Sequence, residues 1–175
     1  MPFIIALIGI LAGAYFWMQR ARNASHMAGD LIEGAKDLRL AARRFGFRRQ
    51  ANVHPVESIE DPRLAVAGLA SAFMQLSDLP TQEERAGLEN ALRDAFELNR
   101  AEAEEMLILG QWLVGQSGGA SSAISRLGRK LQKLSGAQYA EALMQVIQGT
   151  LAAGSGALND TQRDALEDIR RHLRL

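Results

Sequence analysis

Residues 61–92 read DPRLAVAGLASAFMQLSDLPTQEERAGLENAL. Two helix starts are written into this one stretch. Asp61 before Pro62 has the form of an N-cap followed by proline at the first helical position, where a missing N–H is harmless. Leu64, Gly68, Leu69, Ala72, Phe73 and Leu76 then recur at helical spacing. Alanine and glycine fill the gaps between them, so neighbours can approach this helix closely, and it is expected at the centre of a bundle. Pro80 interrupts the pattern, and Thr81 with Glu84 has the spacing of a capping box. Leu88, Leu92 and Phe96 follow at i, i+4 and i+8. The spacing throughout is that of helices, and an all-α fold is expected.

The same punctuation continues toward the C-terminus. Asn99 with Glu102 makes a second capping box, leading into Met106, Leu107, Gly110, Leu113 and Val114. Residues 117–122 are rich in Ser and Gly and read as a loop. Ile124, Leu127, Leu131 and Leu134 define the next apolar face, with Arg126, Arg129, Lys130 and Lys133 expected on the wet side and Gly136 as the C-terminal cap. Tyr139, Leu143, Val146, Ile147 and Leu151 mark a further helix, broken by Gly154-Ser155-Gly156. Asn159 or Asp160 caps the last one, with Leu166, Ile169 and Leu173 facing inward.

Toward the N-terminus the character changes. Pro2 to Met18 has no charged side chain. As a helix it would span roughly 25 Å, at the short end for a bilayer. Tyr15, Phe16 and Trp17 close the stretch as interfacial aromatics do, and Arg20 and Arg22 come directly after. No Lys or Arg stands before it, which disfavours a cleaved signal peptide despite the small residues Ala12-Gly13-Ala14. The charge order places the C-terminal side of this segment in the cytoplasm. From residue 20 to residue 50 the chain reads as an amphipathic stalk. Ala24, Ala28, Leu31, Ala35, Leu38, Ala42 and Phe45 form its seam, and Lys36, Arg39 and Arg43 share another face. Residues 51–60, with Pro55, read as a linker of irregular structure.

The chain of 175 residues carries no net charge, but the charge is divided. Residues 1–56 hold five more Lys/Arg than Asp/Glu, and residues 57–175 hold five fewer. A basic stretch beside an uncharged apolar segment suits anionic lipid or an acidic partner. The contact residues expected from this are Tyr15, Trp17, Arg20, Arg22, Arg39, Arg43, Arg44, Arg48 and Arg49. The helix with Arg126, Arg129, Lys130 and Lys133 is basic too. It sits in a net acidic portion without interleaved aromatics, so nucleic acid is not expected as a partner.

Chemistry leaves little trace. There is no cysteine, which excludes disulfides and thiolate catalysis. His26, His54 and His172 are far apart and show no metal-ligand spacing. No Walker loop, dinucleotide fingerprint or nucleophile elbow occurs. The acidic clusters fall mostly in first helical turns, where they cap and favour the dipole. No cofactor, catalytic residue or small-molecule substrate is expected. Trp112, in an otherwise aliphatic helix, reads as a packing residue.

Two stretches resemble the tellurite-resistance TerB-like family. One runs Ala72-Phe73-Met74-Gln75-Leu76-Ser77-Asp78-Leu79-Pro80-Thr81, with Glu84; the other runs Ala152-Ala153-Gly154-Ser155-Gly156-Ala157-Leu158 on to Gln162 and Leu166-Glu167-Asp168-Ile169. The resemblance covers about residues 60–173. It implies two helical halves, each a helix, a turn and a capped helix. Asp78 and Glu84 match the family's acidic turn and are the weak metal candidates that the resemblance supplies. Leu79 replaces that turn's glycine, and Gly154 stands where the second half would have an acid. A short anchor before such a domain also resembles membrane-bound co-chaperones with a TerB-like region. Their J domain is not in this sequence, so co-chaperone activity is not inferred.

The expected organisation is therefore a transmembrane anchor at 1–19, a basic amphipathic stalk helix at 20–50, a linker at 51–60 and a TerB-like bundle of about six helices at 61–175. The expected protein is a single-pass component of a bacterial inner membrane with its C-terminal domain in the cytoplasm. Its expected role is a non-enzymatic scaffold: an accessory subunit or assembly factor of a larger membrane complex, such as one of the respiratory chain. The rival from the family resemblance is a stress-response module sensing divalent cations or oxyanions such as tellurite.

Overall fold

The structure is a computed structural model, and it describes residues 41–48, 52–77 and 80–174. The expected anchor and most of the expected stalk, with Arg49, Asp78 and Leu79, lie outside these residues. The described part belongs to one compact unit, Leu38–Leu175. Its regular structure is entirely helical, with no strand among the described residues. After a helical turn at residues 41–44 and a 3-10 turn at Pro55–Ser58 come α1 (Pro62–Met74), α2 (Gln82–Phe96), α3 (Arg100–Gln116), α4 (Ala120–Ser135), α5 (Ala140–Ala153) and α6 (Asp160–Leu173). Among the described residues no helix is long and apolar enough to cross a membrane.

The local signals place the helix starts. Asp61 accepts from the Arg63 N–H at 2.9 Å, with Pro62 at the first position of α1. Both capping boxes read from the sequence close reciprocally: Thr81 with Glu84 at α2, and Asn99 with Glu102 at α3. At α6 the cap is Asn159, and Gln162 returns the bond. Each such cap satisfies backbone donors that a helix end otherwise leaves open, and removing one typically costs about 1 kcal/mol. Gly136, at φ +59°, ends α4, and Gly154 ends α5.

Helix α1 lies at the centre, as its composition implies. Every residue from Leu64 to Met74 is buried, and α1 touches α2, α3, α4 and α5. Its approach to α3 is close, backbone against backbone. A Cβ on Gly110 would stand 3.0 Å from the Ala67 carbonyl carbon and oxygen and 3.1 Å from the Gly68 nitrogen. Backbone cannot retreat from such a contact as a side chain can, so only glycine fits at this crossing. Leu88 and Leu92 of α2, Leu109 and Leu113 of α3, Leu127 and Leu131 of α4, Leu143 and Val146 of α5, and Ile169 and Leu173 of α6 are all essentially fully buried around it. Burying each such side chain contributes about 1.5–3 kcal/mol. Leu166, expected inward with the last two, is only partly buried against the core.

Three expectations are corrected. Within 51–60, expected as a linker of irregular structure, Pro55–Ser58 forms a 3-10 turn, and Val56 (0% exposed) and Ile59 (1% exposed) are part of the core. Polar neighbours hid a short apolar pattern that the 3-10 turn folds inward. The loop expected at 117–122 is shorter, since α4 already begins at Ala120 behind Gly119. Ser121 and Ser122 are exposed in the first turn, where serine is tolerated. Lys130, expected on the wet face, is 8% exposed, and its ammonium donates to the Glu57 carbonyl oxygen at 2.7 Å. Its long stem crosses apolar surface to reach that oxygen.

Candidate interaction surface

Of the expected contact residues, Arg43, Arg44 and Arg48 are described; Tyr15, Trp17, Arg20, Arg22, Arg39 and Arg49 lie outside the described residues. Arg44 does not point to solvent alone. Its Nη1 donates to Glu102 Oε1 at 3.0 Å, and its Nε stands 2.6 Å from Glu105 Oε2. Both acids belong to the first two turns of α3. Arg43 and Arg48 are exposed and make no ion pair among the described residues.

Arg44 opens a seam that runs along the length of α3. Ala41, Phe45 and Phe47 are buried in the core cluster. The Phe47 ring meets Trp112 edge-on, with centroids 5.7 Å apart and planes at 77°. This arrangement suits the aromatic quadrupoles. Beyond it, His54 Nδ1 accepts from the Val56 N–H at 3.3 Å, and its Nε2 lies 3.1 Å from the Gln116 carbonyl oxygen at the end of α3. The tautomer protonated at Nε2 makes both bonds together. Contacts at Glu102, Glu105, Trp112 and Gln116 thus receive Arg44, Phe47 and His54 in the same order. Residues 41–48 and 52–59 are thus fastened along α3, and Lys130 holds the far end to α4.

The charges at the start of the seam are tuned by their neighbours. The Asn99 backbone N–H holds the Glu102 carboxyl below its ordinary value of 4.5; burial opposes this, while the hydrogen bond and charge of Arg44, and the charge of Arg63, add to it. Arg63 is held above its ordinary range by its side-chain hydrogen bonds to Asp61, against partial burial. Those bonds form a fork: Nε lies 3.1 and 3.0 Å from the two Asp61 oxygens and Nη2 lies 2.7 Å from one of them. The cap of α1 is thereby also a bidentate carboxylate–guanidinium pair.

The turns that carry the family resemblance also meet in space. Glu84 Oε2 accepts the Thr81 N–H at 3.0 Å, and the residue is 8% exposed. Gly154 of the second turn lies against it: a Cβ there would stand 2.6 Å from Glu84 Cγ and 2.7 Å from Oε1. Asn159 Nδ2 donates to the Leu76 carbonyl oxygen at 2.8 Å and ties the two turns together. Asp78, the other metal candidate, lies outside the described residues. Among the described residues no three potential metal ligands cluster. Glu84 closes the cap of α2 while its stem packs against Gly154.

The seam was only half legible in the sequence. The arginines read as a charge run and Phe45 as part of an apolar seam, whereas Phe47, buried two residues further on, carries the packing on Trp112. An aromatic pair two residues apart inside a basic run was the available signal. Comparison with family models, with curated proteins and with solved structures gives no match.

Proposed function

We propose that this protein is a membrane-anchored, non-enzymatic scaffold that presents a TerB-like helical bundle in the cytoplasm to a larger inner-membrane complex. The observation that supports this reading is the seam along α3. The sequence places an uncharged apolar stretch at residues 2–18, and the chain enters the bundle core by Ala41. A free linker at 51–60 would let the bundle swing away from its anchor. A segment fastened by Phe45, Phe47 and Ile59 keeps the connection to residues 19–40 alone. A short connection holds an adaptor near one membrane partner and raises its effective concentration there.

The test is affinity purification of the full chain in mild detergent, with the co-purifying proteins identified by mass spectrometry. A membrane complex recovered in constant proportion is the expected result. Release of the chain from membranes by alkaline carbonate would overturn the anchor. Recovery of the chain alone, together with a rise in Tm on adding Ca²⁺, would favour the sensing role instead.

A further inference from the structure

Helix α4 differs from the other surface helices in one respect. Its sequence, ASSAISRLGRKLQKLS, contains no Asp or Glu, whereas α2, α3, α5 and α6 each carry acids. Its inner side is fully engaged. Ala123, Ile124, Leu127 and Leu131 enter the core, a Cβ on Gly128 would stand 3.1 Å from His172, and Lys130 reaches Glu57. The outer side is a single stripe of Ser122, Arg126, Arg129 and Lys133, at spacings of four, three and four residues, all exposed. None of its three cations makes an ion pair among the described residues. The stripe therefore opposes the sign of residues 57–175, which carry five more acids than bases.

We propose that this outer face of α4 docks the bundle on the anionic phospholipid headgroups of the membrane that holds its anchor. The inference rests on the membrane-anchor reading of residues 1–19. Three observations select lipid as the occupant. The charge is complementary, of one sign along the stripe and not neutralised by any ion pair among the described residues. Val53 is the one large apolar side chain exposed among the described residues, and it is not in the stripe, so the contact is electrostatic and does not insert. The tether is also short. Residues 19–40 reach roughly 33 Å as a helix and at most about 80 Å extended. A unit of this size has a radius of gyration of about 14 Å, so α4 stays within reach of the bilayer. The net acidic remainder of the bundle is repelled by the same surface, which makes the docking orientation-specific.

The full chain has no cysteine, so a single substitution carries a unique fluorescent probe. Ser122→Cys reports on the stripe, and Asn90→Cys, exposed on α2, serves as the control. The labelled chain is reconstituted into vesicles of phosphatidylcholine with or without phosphatidylglycerol, with a headgroup nitroxide lipid as quencher. Quenching at Ser122→Cys should appear only with phosphatidylglycerol, fade with added salt and be absent at Asn90→Cys. Charge reversal at Arg126, Arg129 and Lys133 should weaken docking on the order of a hundredfold, at roughly fivefold per cation. All three are exposed and make no ion pair among the described residues, so the variant should keep the native circular dichroism. Equal quenching in both lipids, or no effect of the triple reversal, overturns the proposal. Loss of a co-purifying protein with unchanged quenching also overturns it, and would assign the stripe to an acidic protein. Should the chain fail to enter phosphatidylcholine vesicles, the anchor reading fails by itself. Binding of the same labelled chain to added phosphatidylglycerol vesicles then still decides the stripe.

Discussion

Helix α3 is gripped on two sides by different means. Toward α1 it offers Gly110, and two backbones meet with no room for one added carbon. Along its other side it receives Arg44, Phe47 and His54, side chains that can each move. The inner contact is set by excluded volume and has one solution. The outer contact is a sum of adjustable pairs, individually weak at a surface.

The difference between the two sides is broken most severely from the inside. Gly110→Leu should cost about 3 kcal/mol or more, because the rigid backbone of Ala67 must move. Urea unfolding at constant slope measures it. A loss below about 0.5 kcal/mol, the scale of a neutral surface change, would show that the crossing is soft. Phe47→Ala, on the outer side, should cost about 2–3 kcal/mol. That is less than for a ring at the centre of a core, since Phe47 lies at the edge at 8% exposure. Trp112 loses its partner ring, so its emission should shift to the red. Unchanged emission would mean that the seam does not persist in solution.

A smaller effect is expected between the two turns. Gly154→Ala should push Glu84 off its cap and cost about 1 kcal/mol, the worth of a capping interaction. In a Glu84→Ala background the same substitution should cost almost nothing, because the two groups share one contact. Additive losses would separate them. The smallest effect concerns pH. The Glu102 carboxyl is held below its ordinary value of 4.5, so its contribution is present above that value and is lost as pH falls through the lowered one. Glu102→Gln should flatten the acid limb of a Tm-against-pH curve, and Arg44→Met should flatten it less. A parallel curve for Glu102→Gln would remove Arg44 and Asn99 as the cause.

The sequence by itself determined the six α-helices and most of their ends. Asp61-Pro62, Thr81 with Glu84, Asn99 with Glu102, Gly136 and Gly154 act within a turn or two of their own position, so their chemistry is local and legible. It also placed α1 at the centre, because a helix of alanine, glycine and leucine has no face to give to water. Tertiary structure alone decided the partners. Nothing near Lys130 in the chain announces that the Glu57 carbonyl will stand 2.7 Å away, 73 residues earlier. Nothing near Arg44 announces Glu102 and Glu105, and the polar run at 51–60 conceals that Val56 and Ile59 complete a core. A side chain's own pattern records which elements it can form. Whether a long polar side chain ends in water or on a distant carbonyl depends on what the folded chain brings within its reach.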